Sequence, residues 1–208
     1  MDILHPDLEN YLMQLLAPRD EILSEMERLA EKTRFPIVGP LVGRLLSQMA
    51  RMIGARRVFE FGSGFGYSAY WFLKGMDSRG QVVYTDDEAE NARMARDFFE
   101  RAGLLSRLQI ETGDALQIID RQQGSFDVIL IDCEKARYPT ALEKAIPRIR
   151  KGGLLIADNV LWSGSVTKPS EEPSTIGIQT FNRLVFSEPQ LLTTILPLRD
   201  GVSISLKL

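Results

Sequence analysis

The rhythm of hydrophobic and polar positions changes near residue 54. Before it, apolar side chains recur every three or four residues, the period of a helix with one buried face. Residues 7–33 read as two amphipathic helices broken near Pro18; in the second, Ile22, Leu23, Met26, Leu29 and Ala30 share a face and charges fill the other. Residues 34–40, with two prolines and Gly39, read as a loop, and helix resumes over 41–53. After Gly54 short apolar runs alternate with helical stretches. Runs at 57–61, 81–85, 108–111, 126–131, 153–157, 191–196 and 203–207 predict strands, with helices at 67–74, 89–102, 116–120, 141–149 and 175–186. Residues 128–131 and 154–156 are apolar without alternation, as in a parallel sheet covered on both faces.

This order predicts one α/β domain over 1–208: a helical portion (1–53), then a doubly wound core (54–208). The core is expected to hold a seven-stranded, mostly parallel sheet. Its last two strands, joined through the 198–201 turn, are expected to run antiparallel. The segment 163–174, rich in Ser and Pro, is the one expected to be mobile. There is no internal repeat.

Composition narrows the function classes. Of 208 residues, 44% are hydrophobic and 25% charged, an ordinary globular balance, and the net charge of −3 disfavours a nucleic-acid surface. The single cysteine, Cys133, excludes an internal disulfide and a Cys-based zinc site and fits a cytoplasmic protein. Residues 1–20 carry charges and no long apolar run, so neither a signal peptide nor a membrane span is expected. The only histidine, His5, lies near the N-terminus, which leaves proton transfer to Lys, Asp, Glu or Tyr.

Candidate chemistry clusters at predicted strand ends. The first strand runs into Glu60-Phe-Gly-Ser-Gly-Phe-Gly-Tyr-Ser68 directly before a helix. Its glycines permit a tight turn and close approach to a ligand, and Glu60 can accept from an amine. The G-x-G-x-G spacing differs from the G-x-G-x-x-G of dinucleotide binders. Asp86 ends the second strand about 20 residues on, the separation at which an acid reaches a ribose hydroxyl. Asp87 follows it, and one of the two is expected to cap the next helix. Gly113-Asp114-Ala115 follows the third strand and offers backbone to an adenine ring.

The fourth strand ends in Asp132-Cys-Glu-Lys135 and the fifth in Asp158-Asn159. Neighbouring parallel strands end at one edge, so Asp132, Asp158 and the Asn159 amide are expected to converge. Such oxygen donors suit a hard divalent cation, Mg²⁺ first, with Mn²⁺ or Ca²⁺ as alternatives. A lysine beside a dication is pushed toward its neutral form, which makes Lys135 a candidate general base.

At these residues the chain resembles the metal-dependent class I O-methyltransferases, the catechol and caffeoyl-coenzyme A O-methyltransferase family, and especially its small bacterial branch. The resemblance runs from about Arg34 to the C-terminus and rests on Asp132-x-x-Lys135-x-x-Tyr138 followed by Ala157-Asp-Asn-Val160. It is supported by Val58-Phe-Glu-Phe-Gly62, Gly66-Tyr-Ser68, Leu161-Trp-Ser-Gly-Ser-Val166, Phe181-Asn182 and Leu196-Pro-Leu-Arg-Asp-Gly201. It implies a Rossmann-like fold, S-adenosylmethionine as methyl donor and a small phenolic acceptor, with vicinal hydroxyls as in catechols or hydroxycinnamoyl phenols. Residue by residue it implies that Val38, Glu60, Gly62, Ser68, Asp86 and Ala115 hold the cofactor: Ser68 and the loop backbone take the methionine carboxylate, Glu60 lies near the amino-acid end, Asp86 takes the ribose, and Ala115 lies by the adenine. Asp132, Asp158 and Asn159 match the metal ligands and Lys135 the base, Asp132 also counting among the catalytic and cofactor-binding groups. Cys133 is expected to be an inert small side chain. Tyr138, Trp162 and the 163–174 loop are candidates for an aromatic wall of the acceptor pocket. Family members are commonly dimers, so a homodimer is expected, with the apolar N-terminal helices (Leu12, Leu15, Leu16, Ile22, Leu23, Met26) or the terminal strands at the contact. The rivals are a cofactor-binding protein of this fold without catechol activity, a nucleotide-dependent oxidoreductase and a nucleic-acid methyltransferase.

Overall fold

Three helices precede the sheet in the computed structural model, which describes residue 3 and residues 5–208. Helix α1 (Pro6–Leu15) starts at His5, whose Nδ1 accepts from the Asp7 amide. Helix α2 (Glu21–Thr33) is capped by Asp20, which accepts from the Leu23 amide at 2.9 Å. It ends at Arg34 in the left-handed region, where the Phe35 amide reaches back to the Ala30 carbonyl. Helix α3 (Gly39–Met52) begins two residues earlier than its apolar pattern suggests, because Pro40 suits a first helical turn. The predicted break near Pro18 separates α1 from α2.

Seven strands follow: β1 (Arg57–Phe61), β2 (Gln81–Asp86), β3 (Leu108–Thr112), β4 (Phe126–Ile131), β5 (Ile149–Ala157), β6 (Leu191–Leu196) and β7 (Val202–Lys207). They form one sheet in the order β3-β2-β1-β4-β5-β7-β6. Only β7 is antiparallel to its neighbours, so six strands point one way. The connecting helices are α4 (Tyr67–Gly75), α5 (Ala89–Arg101), α6 (Ala115–Arg121), α7 (Tyr138–Ala145) and α8 (Pro173–Ser187). Alternate strand residues serve two cores. Val58, Tyr84, Val128, Leu130 and Ile156 meet α2 to α5 on one face, while Phe59, Phe61, Ile129, Ile131 and Leu155 meet α6 to α8 on the other. Two buried faces explain why these strands are apolar throughout.

Further along the chain the structure also departs from the sequence reading. Strand β5 begins at Ile149, not 153, because Ile149 already pairs with Phe126 of β4; the register then shifts over the polar run and pairing resumes at Leu154 with Val128. Helix α7 starts at Tyr138 and passes into a 3₁₀ turn over Ile146–Arg148, so residues expected to end the helix start the strand. The 163–174 segment carries 3₁₀ turns over Trp162–Thr167, which the Gln179 amide ties to α8 through the Val166 and Lys168 carbonyls. Leu23 and Met26 are wholly buried in their own fold and are no surplus for a partner.

The order of the strands reverses between β1 and β4, and there the carboxyl ends are knit together. The Asp132 amide donates to the Phe61 carbonyl at 2.9 Å, and the Asp158 amide to the Ile131 carbonyl at 3.2 Å. A doubly wound sheet opens its ligand crevice at such a point.

Candidate functional site

A cavity of about 530 Å³ occupies that edge. Val38, Gly62, Ser68, Asp86 and Ala115 line it, and so do Asp132, Lys135, Asp158 and Asn159. Of the residues expected to hold cofactor or metal, Glu60 alone lies behind the wall, fully buried.

The glycine loop is held from both sides. At Gly62 (φ +82°) a Cβ would stand 2.7 Å from the Asp132 carbonyl oxygen, so only glycine lets the β1 and β4 tips come this close. The Tyr84 hydroxyl donates to the Gly64 carbonyl (2.6 Å), and the Gly64 amide donates to Asp86 Oδ2 (2.9 Å). Tyr67 and Ser68, the first residues of α4, face the cavity with the positive end of the helix dipole.

Asp86 rather than Asp87 is the acid fixed in place. Its Oδ1 accepts from the Glu88 amide and Asn91 Nδ2, so one residue both pins the loop and caps the turn into α5. On the far side Asp114 caps α6 through the Leu116 amide and accepts from Arg137 Nη2 at 2.7 Å. Arg137 escaped the sequence reading. Its place two residues after Lys135 was visible, but nothing local indicated that it would reach the turn after β3.

Behind the wall, Glu60 Oε2 accepts from Ser63 Oγ at 2.7 Å while Oε1 has no partner. Burial pushes this carboxyl up to about 8, against the Ser63 and Ser68 hydroxyls and with the Asp132 charge. The orphaned oxygen suits an N–H donor.

Where β4 and β5 end, Lys135 Nζ donates to Asp132 Oδ1 (2.9 Å) and to the Cys133 carbonyl (3.2 Å). Asp158 is 4% exposed and its Oδ1 has no partner. Burial, then the neighbouring Asp132 charge, raise the Asp158 carboxyl to about 7. Burial also raises Asp132, opposed by Lys135. Among the described residues no group of three or more His, Cys, Asp and Glu is gathered as a metal cage. The donor set is smaller: two acids that resist ionising together, one buried oxygen without a donor, and the Asn159 amide. Two such carboxyls fit a cation, which would relieve both. Asn159 sits at φ +56°, a conformation its side chain tolerates better than most.

Burial bears on the Tyr138 and Cys133 expectations. Tyr138 lines neither cavity; it is wholly buried, packing edge-on against Phe181, because α7 begins at this residue and turns it under the site. Trp162 lines the 530 Å³ cavity and not the larger one beside it. Burial pushes the Cys133 thiol up to about 12, which disfavours the reactive thiolate.

A second cavity, about 740 Å³, adjoins the first and shares Phe35, Pro36, Ile37, Asp158 and Asn159 with it. Its outer wall comes from α1 and α2 (Glu9, Asn10, Met13, Glu27) and from Arg199 and Asp200. The amphipathic pattern of α1 and α2 carried no sign of this duty. No helix among the described residues is long and apolar enough to cross a membrane.

Known proteins resemble this chain in sequence and fold. A family model described as O-methyltransferase matches residues 14–208. A catechol O-methyltransferase from Niastella koreensis is 30% identical over 211 residues, covering 96% of each chain. The O-methyltransferase from Bacillus cereus, solved with SAH, superposes with a TM-score of 0.89 at 31% identity over 97% of both chains. TomG from Streptomyces achromogenes, an O-methyltransferase of tomaymycin synthesis solved with SAM, gives 0.88 at 26% identity over 97% of this chain and 96% of that one. By its family match and these relatives, the chain belongs to the O-methyltransferase family.

Proposed function

We propose that the chain methylates a hydroxyl of a small catechol-like or hydroxycinnamoyl-like acceptor, with S-adenosylmethionine as donor and a divalent cation such as Mg²⁺ as helper. The observation that carries this reading is the buried, unpartnered Asp158 Oδ1 beside the Lys135–Asp132 pair, where the two cavities meet.

In this reading the 530 Å³ cavity takes the cofactor. Ser68 and the α4 amides hold its carboxylate, Glu60 Oε1 accepts from its ammonium, Asp86 takes the ribose hydroxyls, and Ala115, Gly62 and Val38 line the rest. Asp132, Asp158 and Asn159 would hold the cation, which supplies Lewis acidity toward vicinal oxygens. Lys135 Nζ removes the proton from the acceptor hydroxyl, and the floor between the cavities sets the line of attack. The larger cavity takes the acceptor. Exposed Leu8, Tyr11 and Leu15 on α1, with Leu192, Leu206 and Leu208 on the terminal strands, support a homodimer. The lone cysteine supports a cytoplasmic setting.

The test is methyl transfer to a panel of catechols and hydroxycinnamoyl thioesters, with Mg²⁺ and with a chelator. A monomethylated product that requires the metal is expected. No product from any member, with or without metal, rejects the reading.

A further inference from the structure

The partition between the two cavities is short. It consists of Phe35 to Ile37 on one flank and Asp158 with Asn159 on the other, the residues common to both linings. One turn, residues 198–201, is bonded to both flanks. On the Asn159 flank the Val160 amide donates to the Gly201 carbonyl (3.0 Å), the Leu161 amide to the Asp200 carbonyl (2.9 Å), and the Ser163 amide to Asp200 Oδ1 (2.5 Å). On the Ile37 flank a single side chain makes the link: Arg199 Nη1 donates to the Ile37 carbonyl at 2.7 Å, 162 positions earlier in the chain.

Two features show that this link is built in. Arg199 adopts φ +50°, a left-handed conformation that costs any residue with a Cβ free energy and is kept where the surroundings demand it. Gly39 is the second. At φ +75° its missing Cβ leaves the space the guanidinium occupies; a Cβ there would stand 2.4 Å from Arg199 Nη1. Arg199 Nε also faces Glu9 Oε1 of α1 at 3.9 Å, and both residues line the larger cavity.

We propose that Arg199 is a positioning residue for methyl transfer: it fastens the 34–40 segment, through the Ile37 carbonyl, to the turn that also holds the Asn159 flank, and so fixes the spacing between cofactor and acceptor. The inference rests on the two-cavity reading given under the proposed function. Arg199 touches no reacting atom in it. Loosening one flank lets the acceptor ring tilt against the donor, so the choice between its two hydroxyls becomes less strict, and the cofactor loses one fixed wall.

The experiment compares wild type, Arg199→Ala and Arg199→Lys in the full chain. Binding of S-adenosylhomocysteine is measured by calorimetry without acceptor, and the meta-to-para ratio of the product is measured on one asymmetric catechol with Mg²⁺. Arg199→Ala is expected to weaken S-adenosylhomocysteine about three- to tenfold, the range one lost hydrogen bond gives, and to pull the product ratio toward unity. Arg199→Lys keeps a donor for the carbonyl and is expected to recover most of both. If Arg199→Ala does not fold, Arg199→Met, which keeps much of the length and removes every donor, takes its place with the same expectation. Wild-type binding and wild-type product ratio in the truncated variant overturn the proposal, as does a Lys variant no better than Ala. If the wild type methylates no catechol, the proposed function falls, and the calorimetric comparison alone then decides the role of Arg199.

Discussion

The Tyr138 hydroxyl donates across 2.9 Å to the main-chain carbonyl of Asp158, and the tyrosine is wholly buried. Burial holds the phenol well above its ordinary range, so it remains a donor. Its ring also lies 5.1 Å beneath Lys135 Nζ, so one side chain braces both strand tips of the candidate site.

Tyr138→Phe keeps the ring and its packing on Phe181 and removes only the donor. The cost should be about 1–3 kcal/mol, the usual penalty for stranding a buried polar group. Urea unfolding should show a lower midpoint at unchanged slope. A midpoint equal to wild type would show that the carbonyl finds another donor.

Asp158→Ala removes the buried oxygen that has no partner. Metal-dependent turnover is expected to disappear while cofactor affinity stays within a few-fold, because Ser68, Asp86 and the glycine loop are untouched. Magnesium added during thermal melting should raise the transition of wild type and leave the variant where it was. Unchanged turnover with metal supplied would remove Asp158 from the cation site.

Much of this was legible in the residues because the signals are local. The alternation of apolar runs and helical stretches placed every strand, and the acids that end β2, β4 and β5 were readable as strand-end residues. What escaped depends on contacts distant in sequence. Arg137 meets Asp114, and Arg199 meets Ile37, through folding alone. Tyr138 belongs to a motif that pointed to a pocket wall, yet the start of α7 turns its ring inward. The first residues of β5 were hidden by Arg150, Lys151 and Gly152, whose polarity suits an exposed strand start and mimics a loop.

Glu60 gives a pH test. Its carboxyl is raised from 4.5 to about 8, chiefly by burial. The unfolded chain ionises this group near 4.5 while the folded chain keeps its proton until about 8. Its contribution to stability is therefore full below pH 4.5 and is lost as pH rises through 8. Glu60→Gln should flatten that part of the unfolding profile. Cofactor binding should show the opposite slope, since an ammonium favours the carboxylate: wild-type affinity should rise from about pH 6 to 8 and the variant's should not. Parallel binding profiles would place the ammonium elsewhere.

The exposed apolar residues of α1 and the terminal strands lead to an assembly prediction. Light scattering at micromolar concentration should give about twice the 23.5 kDa chain mass. Leu15 is 63% exposed and Leu192 64%, so Leu15→Glu or Leu192→Glu should shift the mass toward the monomer without loss of fold. A monomeric wild type would leave those side chains facing water.

Lys135 decides whether the site removes a proton itself. Its Nζ is held by Asp132 Oδ1 and the Cys133 carbonyl, at the tip of β4 beside Asp158. Lys135→Ala should reduce kcat by roughly 10²–10⁴-fold, the usual contribution of a positioned general base. Affinity for S-adenosylhomocysteine should barely change, since in the proposed reading the amine serves the acceptor hydroxyl and not the cofactor. Raising the pH should recover part of the lost rate, because the acceptor hydroxyl then ionises without help. A lysine that only balances the charge of Asp132 would behave differently. Its removal would weaken or strengthen metal binding and leave the shape of the pH–rate profile alone. The measurement is therefore kcat against pH for wild type and variant on one catechol at saturating Mg²⁺. Profiles of the same shape would make Lys135 a charge partner of Asp132, and the proton would then have to leave through solvent.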